Sequence, residues 1–581
     1  MTIPRVSAEL RPPEPPPEAS QLGAVVWLRQ NLFGSVASGV VSVVLGVALF
    51  FMLRGAIGFL LSEDRLWEVI PRNATNYAIE GYPRADIARI WLSLDVILFL
   101  AGLSMAVWRP SGRMSLASLA AAVRSLGTVL VLVGILAPET FGSRFTVGLV
   151  GLVLIGLSFV GMRLSDTTAL ADRIPTLGLI AGLAALFLAI LWVLPIESST
   201  QIPYTIGVVV ALIGHGIGRL AAARVAPGPL RAIVTAVWLV SLPIIYLHIQ
   251  RNPVVDWDTV IGSWMPWIIG IVVGGLALIT VVSRSERERA GVLNALAVVA
   301  AIAAWTISAP MLARALLALL AVLSLATPTF GSSALGRRNM LLTWLAGALF
   351  ASYIFVVGDA GTGLQTRNEY YGGLNLTMML AAGSLLLSFP LGVLLALGRT
   401  STMPIFRLLS TGYIEVVRGV PLITVLFIAR FGILNFLPVN LEFDPNVLVL
   451  GGITAFAAAY LAENVRGGLQ SIPKGQYEAA KALGMTTAQM TMLITLPQAL
   501  RAVIPAIVGQ VIALFKDTSL VAIVGLAEFF RVARDIVPNQ TNSLGSIIEN
   551  LLFAAAVYWI FTYNFSRASQ RLERRLGVGT R

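Results

Sequence analysis

Charged residues are scarce in the last third of this 581-residue chain, and they stand at spacings that could do work. Glu415 and Arg418 are three apart near the start of an apolar run, on one helical face, and can pair as a gating contact or simply to neutralise a helix end. Gly419 and Pro421 beside them predict a bend or a close helix contact. Lys516 and Asp517 interrupt the apolar run 504–525. Adjacent opposite charges at membrane depth are costly unless paired or facing water. They read as a structural or gating pair in preference to direct ligand contacts, although a polar path here would suit a zwitterion. Glu463, Asn464 and Arg466 close another run, as supports for the segment that follows or as interface anchors. None of these sets is catalytic. The chain has no cysteine, and its two histidines, His215 and His248, are far apart, so thiol chemistry and a Cys or His metal centre are not expected. No GxxxxGK[ST] phosphate loop occurs, so any ATP must be used by another subunit.

One polar stretch stands apart, Glu478 to Pro497, EAAKALGMTTAQMTMLITLP. Good helix formers from Tyr477 to Leu483 end at Gly484, a residue that tolerates positive φ and so stops a helix. Thr486 precedes Gln489 by three, the spacing of a capping box, which predicts a second helix start. Pro497 is expected to break or re-aim the chain. The expected object is helix, glycine corner, helix, outside the bilayer, offered to a partner protein.

Membrane helices must position all of this. Hydrophobic residues make up 57% of the chain and charged residues 12%, against about 25% charged in an average soluble domain. Mean hydropathy is +0.84. Apolar runs of about 20 residues recur, which predicts an all-α integral membrane protein of about sixteen spans. They are expected near 35–61, 90–107, 116–137, 145–162, 176–194, 204–220, 230–248, 262–282, 291–309, 311–327 and 340–357. A C-terminal block of five follows near 375–398, 408–436, 447–466, 499–525 and 549–566. The implied domains are a Pro-rich disordered tail (1–28), an N-terminal multi-helix extension (29–357), an outer linker (358–373), a membrane core (374–568) and a tail (569–581). The first apolar run is too long and starts too late for a signal peptide.

The net charge of +12 sits in alternate short loops, for example Arg109 and Arg113, Arg284 to Arg289, Arg337 and Arg338, Lys474 and Lys481. That bias places both termini and the Glu478 stretch in the cytoplasm. The loop Leu61 to Arg89 then lies outside; with Trp67, Tyr77 and Tyr82 it reads as an interfacial amphipathic piece or an ordinary exposed loop. Arg54 or Arg124 could pair with Asp95 inside the extension.

Glu478-Ala479-Ala480, three residues, Gly484, nine residues and Ile494-Thr495-Leu496-Pro497 resemble the cytoplasmic loop by which permeases of ABC importers dock their ATPase. Glu415-Val-Val-Arg418-Gly419-Val-Pro421-Leu422 is similar to the signature of the polar amino-acid branch, and 459–468, 472–477 and 515–520 match it as well. The N-terminal stretches Trp27–Ser35 and Gly81–Pro83 resemble the larger subunits of general L-amino-acid permeases, which carry extra N-terminal helices. The resemblance implies a translocating, non-enzymatic subunit in a bacterial inner membrane, importing polar L-amino acids by alternating access. It implies two cytoplasmic ATPase subunits carrying ATP and Mg²⁺, with no cofactor on this chain. A second permease and an extracytoplasmic amino-acid-binding protein complete the set. The alternative class is an ion-coupled secondary transporter. The family motifs assign no role to residues 110–357.

Overall fold

The computed structural model describes residues 31–62, 64–108, 119–121, 123–124, 126–128, 130–131, 141–167, 176–193, 198–284, 287–307, 309–325, 334–359, 361–363, 372–432 and 444–576. The Pro-rich tail 1–28, Arg109, Arg113 and most of the linker 358–373 fall outside these. Contacts divide the chain into two compact units, Met1–Leu66 and Trp67–Arg581. The first holds helix α1, Val36–Leu61, started by a Ser35–Ser38 capping box. Apart from Ser38, Ser42 and Arg54, its side chains are apolar around the whole circumference, and none in its span is buried, the build of a helix solvated by lipid.

The second unit begins with a single helical turn, Val69–Arg72, and a short helix α2, Ala74–Ile79, and continues through α3 (Ile87–Trp108), α4 (Phe141–Thr167), α5 (Thr176–Val193), α6 (Ser198–Arg224) and α7 (Pro227–Gln250). Strand β1 (Arg251–Val255) follows, then α8 (Met265–Val282), α9 (Arg287–Ala303), α10 (Met311–Leu325), α11 (Ala334–Asp359) and β2 (Gly361–Gly363), which pairs antiparallel with β1. Lipid provides no hydrophobic drive between helices, so packing falls to small residues and polar ties. Helices α3 and α6 cross through glycines: a Cβ on Gly102 would lie 2.1 Å from the Ala211 carbonyl oxygen, and one on Gly214 2.2 Å from that of Phe99. Helices α8, α10 and α11 enclose Leu312, Leu316, Met340 and Trp344, and Trp344 Nε1 donates to the Val272 carbonyl at 3.1 Å. The expected Arg124–Asp95 pair does not form. Arg124 donates to Met162 Sδ at 3.4 Å, and Asp95 lies beside Gly207.

The C-terminal core consists of α12 (Gly373–Arg399), α13 (Pro404–Gly419), α14 (Leu422–Phe427, continued by a π turn to Gly432), α15 (Pro445–Gln470), α16 (Lys474–Ala482), α17 (Leu496–Asp517) and α18 (Ile547–Leu576). The span expected at 408–436 is broken. Helices α13 and the Leu422–Gly432 piece meet at 107°. Val420 is extended, as a residue before proline must be, and Pro421 has no N–H to continue the ladder. Space above Gly419 is open, so of the two roles expected for this site only the bend is realised.

Among the described residues, ten helices are long and apolar enough to cross a membrane, eleven if the bent pair counts as one span. The protein is a multi-pass helical membrane protein. Four shorter apolar helices, Gly148–Arg163, Ile180–Ala189, Arg289–Ala303 and Met311–Leu325, coincide with expected spans, and part of the one expected at 116–137 lies outside the described residues. The expected number of about sixteen requires all five of these to cross.

Candidate functional site

Connectivity gives the core two ends. The end reached by the C-termini of α12 and α15 carries the Glu478 segment, and the opposite end carries residues 518–546. At the first end α16 stops as the sequence predicts. Gly484 has φ +73°, its N–H donates to the Lys481 carbonyl at 2.9 Å, and the Met485 N–H donates to Ala480 at 3.1 Å. This is a Schellman stop, which satisfies the last carbonyls of the helix. Thr486 and Gln489 then bond reciprocally, N–H to side chain, at 3.0 and 3.2 Å, the predicted capping box. Pro497 does not break the chain. It stands near the start of α17, which continues directly from a π turn at Thr491–Thr495, so the helix runs through the proline.

The corner is held from inside and open outside. Ala480 is buried, Leu496 packs on the cluster of Ala396, Ile414, Leu461 and Val465, and the Tyr477 hydroxyl donates to the Leu469 carbonyl at 3.2 Å. Glu478, Ala479, Leu483 and Gly484 are exposed, Leu483 at 80%. Ile494 is half-buried. Of Ala479 and Ala480, only Ala479 faces out.

Beneath the corner, one carboxylate gathers three helices. Glu463 on α15 meets Arg399 of α12 at 2.7 Å, Arg466 at 2.9 Å and Arg418 of α13 at 3.4 Å. Glu415 pairs with the other arm of Arg399 at 2.7 Å. The expected Glu415–Arg418 pair therefore does not form; Arg399 on α12 and Glu463 on α15 take the two side chains instead. Arg399 had no local signal, since its partners lie 16 and 64 residues away.

A cavity of about 430 Å³ lies between α15 and α17, lined by Phe456, Ala457, Tyr460 and Asn464 on one side and Ala506, Gly509, Gln510, Ala513, Leu514 and Asp517 on the other. Ligand clefts commonly measure about 300–1,000 Å³. Asn464 Nδ2 donates to Gln510 Oε1 at 2.9 Å, and Gln510 Nε2 to the Ala457 carbonyl at 2.7 Å. Lys516 and Asp517 form no ion pair: Asp517 faces the cavity and Lys516 is exposed. Gln510 was not singled out by sequence, yet it stands seven residues before Asp517, one helical face apart by two turns. The Arg418 guanidinium lies 5.4 Å from the Tyr460 ring centroid, so the arginine network touches the cavity wall.

At the opposite end Glu528 is fully buried, accepting from the Phe530 and Arg531 N–H groups at 2.8 and 2.7 Å and from the Tyr558 hydroxyl at 3.2 Å. Burial pushes its carboxyl up to about 7 against these donors. An acid raised in this way holds its proton more tightly folded than unfolded, so its contribution to stability falls as pH climbs from 4.5 to about 7. The melting temperature of Glu528→Gln should accordingly vary less with pH over that window than that of the parent.

Bundle, cavity with a few polar side chains and exposed corner together define a multi-pass membrane protein. Residues 388–578 match the model of the binding-protein-dependent transport system inner membrane component family. The glutamate/aspartate import permease protein GltK of Escherichia coli O6:H1 is 36% identical over 35% of this chain and 91% of its own length. The chain belongs to this family. The inner membrane amino-acid ABC transporter permease protein YhdY of Escherichia coli K12 is 46% identical over 37% of this chain. The glutamate/glutamine/aspartate/asparagine transport system permease protein BztC of Rhodobacter capsulatus is 45% identical over 36%. The chain spans 58% and 49% of the lengths of these two relatives.

Proposed function

We propose that this chain is the permease subunit of an ATP-driven importer of polar L-amino acids in a bacterial inner membrane, with both termini cytoplasmic. The observation that carries this reading is the exposed helix–glycine–helix corner on a core of the transport family, on the side that loop charge assigns to the cytoplasm. Two ATPase subunits, which hold ATP and Mg²⁺, seat this corner; Glu478, Ala479, Leu483 and Gly484 meet them, Ala480, Ile494 and Leu496 fix it to the core, and Pro497 lies exposed beside it. A second permease, a paralogue of this chain, and an extracytoplasmic amino-acid-binding protein complete the assembly. The names of the relatives, all amino-acid permeases, support the substrate class.

In this mechanism ATPase closure pulls the corner. The pull passes through Glu463, Arg418 and Tyr460 to the cavity wall, and α15 and α17 reorient to release substrate inward. Asp517 suits the α-ammonium, and the Asn464 and Gln510 amides suit the carboxylate or a polar side chain. Asp517→Asn should lower uptake about ten-fold or more with ATPase binding intact, since a charge-assisted bond is worth about 1.5–3 kcal/mol. The reading itself is tested by co-purification: full-length chain should retain an ABC ATPase, and recovery without one, with the corner intact, contradicts it.

A further inference from the structure

Residues Trp67–Asp86 are neither an exposed loop nor an interfacial helix. Trp67, Ile70, Tyr77, Ile79 and Tyr82 are all buried at the end of the core opposite the corner. The contacts are specific and spread over four elements. The Tyr77 hydroxyl bonds Asn550 Oδ1 in the first turn of α18, and its ring lies edge-on to Phe553 at 4.9 Å and Phe529 at 6.2 Å. Asn73 Nδ2 donates to Ser543 Oγ at 3.4 Å, and Asn550 Nδ2 to Ser546 Oγ at 3.0 Å. The Tyr82 hydroxyl donates to the Ile249 carbonyl at the end of α7, at 2.9 Å. Backbone meets backbone at Gly373, the first residue of α12: its φ is +68°, and a Cβ there would lie 2.6 Å from the Tyr77 carbonyl oxygen. Only glycine meets both conditions. Ile79 and Tyr82 share one apolar cluster with Leu376, Leu380 and Leu426.

We propose that residues 67–86 form a permanent strap, which joins the starts of α12 and α18, the 525–546 segment and the end of α7 into one body. This segment is then a brace built into the core, not a separable module. Resting on the alternating-access reading, the corollary is that movement occurs between this body and the cavity helices α15 and α17. Buried aromatic contact and hydrogen bonds together make the strap costly to lift.

The absence of cysteine permits a clean test in the full chain. Asn73→Cys with Ser543→Cys places two thiols where side-chain tips lie 3.4 Å apart. A protease site inserted after Gly363 separates extension from core on a gel. Oxidised protein should run as one joined species after cleavage, and its uptake should stay within about two-fold of the same protein reduced. A loss of about ten-fold on oxidation, regained on reduction, would mean that the strap lifts during transport and would overturn the proposal. Without the cysteines, cleaved halves should still co-elute, and Tyr77→Ala should lower that co-elution about ten-fold or more. Halves that separate in the parent overturn the strap whatever the uptake result, whereas missing uptake in a parent whose halves co-elute counts against the transport reading alone.

Discussion

Gly484→Val should abolish most uptake, by more than about ten-fold, while the protein accumulates normally in the membrane. The reason is geometric. Gly484 sits at φ +73° with nothing near its would-be Cβ, so a side chain meets no obstacle within the chain. The cost is backbone strain, about 1–2 kcal/mol for an L residue in the left-handed region and more when β-branched. The helix can relieve it only by abandoning the Schellman stop, which re-aims Leu483, Met485 and the capping box behind them. Gly484→Asn, which visits that region at low cost, should keep most of the uptake. Uptake and ATPase co-purification measured together on the three proteins decide the matter. Equal values for Gly484→Val and parent would detach the corner from coupling.

Glu463→Gln should be the second severe change. Glu463 is the carboxylate shared by Arg399, Arg418 and Arg466, and its neutralisation leaves three guanidiniums to Glu415 alone. Full burial would put the loss at about 3–5 kcal/mol. These side chains keep 16–36% exposure, and screening brings the expectation down to on the order of 2 kcal/mol. The joint between α12, α13 and α15 loosens, so the melting temperature falls by several degrees and uptake falls more than ATPase binding does. Glu463→Gln and Arg466→Gln should combine to less than the sum of their separate effects, because they break one network.

What the sequence made legible was local. The glycine stop, the capping box and the bend at Pro421 are each written within a few residues, and each is realised. Asp517 was conspicuous as a charge inside an apolar run and Asn464 as one of the polar groups closing another, and both line the cavity. What stayed hidden was long-range. Glu415 and Arg418 have the spacing of an intrahelical pair, but a carboxylate and a guanidinium on other helices offer better geometry. The strap was missed because a segment of mixed charge with scattered aromatics reads as a loop; only the tertiary fold brings Asn550, Phe553 and Ile249 to its tyrosines. Proline at 497 illustrates the converse, a breaker that the helix runs through once a π turn precedes it.

The most direct measurement is uptake into proteoliposomes containing this chain, its ATPase and a second permease, with a binding protein and a labelled polar L-amino acid supplied outside. Uptake should require ATP inside the vesicle or on the ATPase side, stop with vanadate, and ignore an imposed proton or sodium gradient. Uptake driven by such a gradient without ATP, and unaffected by vanadate, would contradict the account and return the chain to the ion-coupled class.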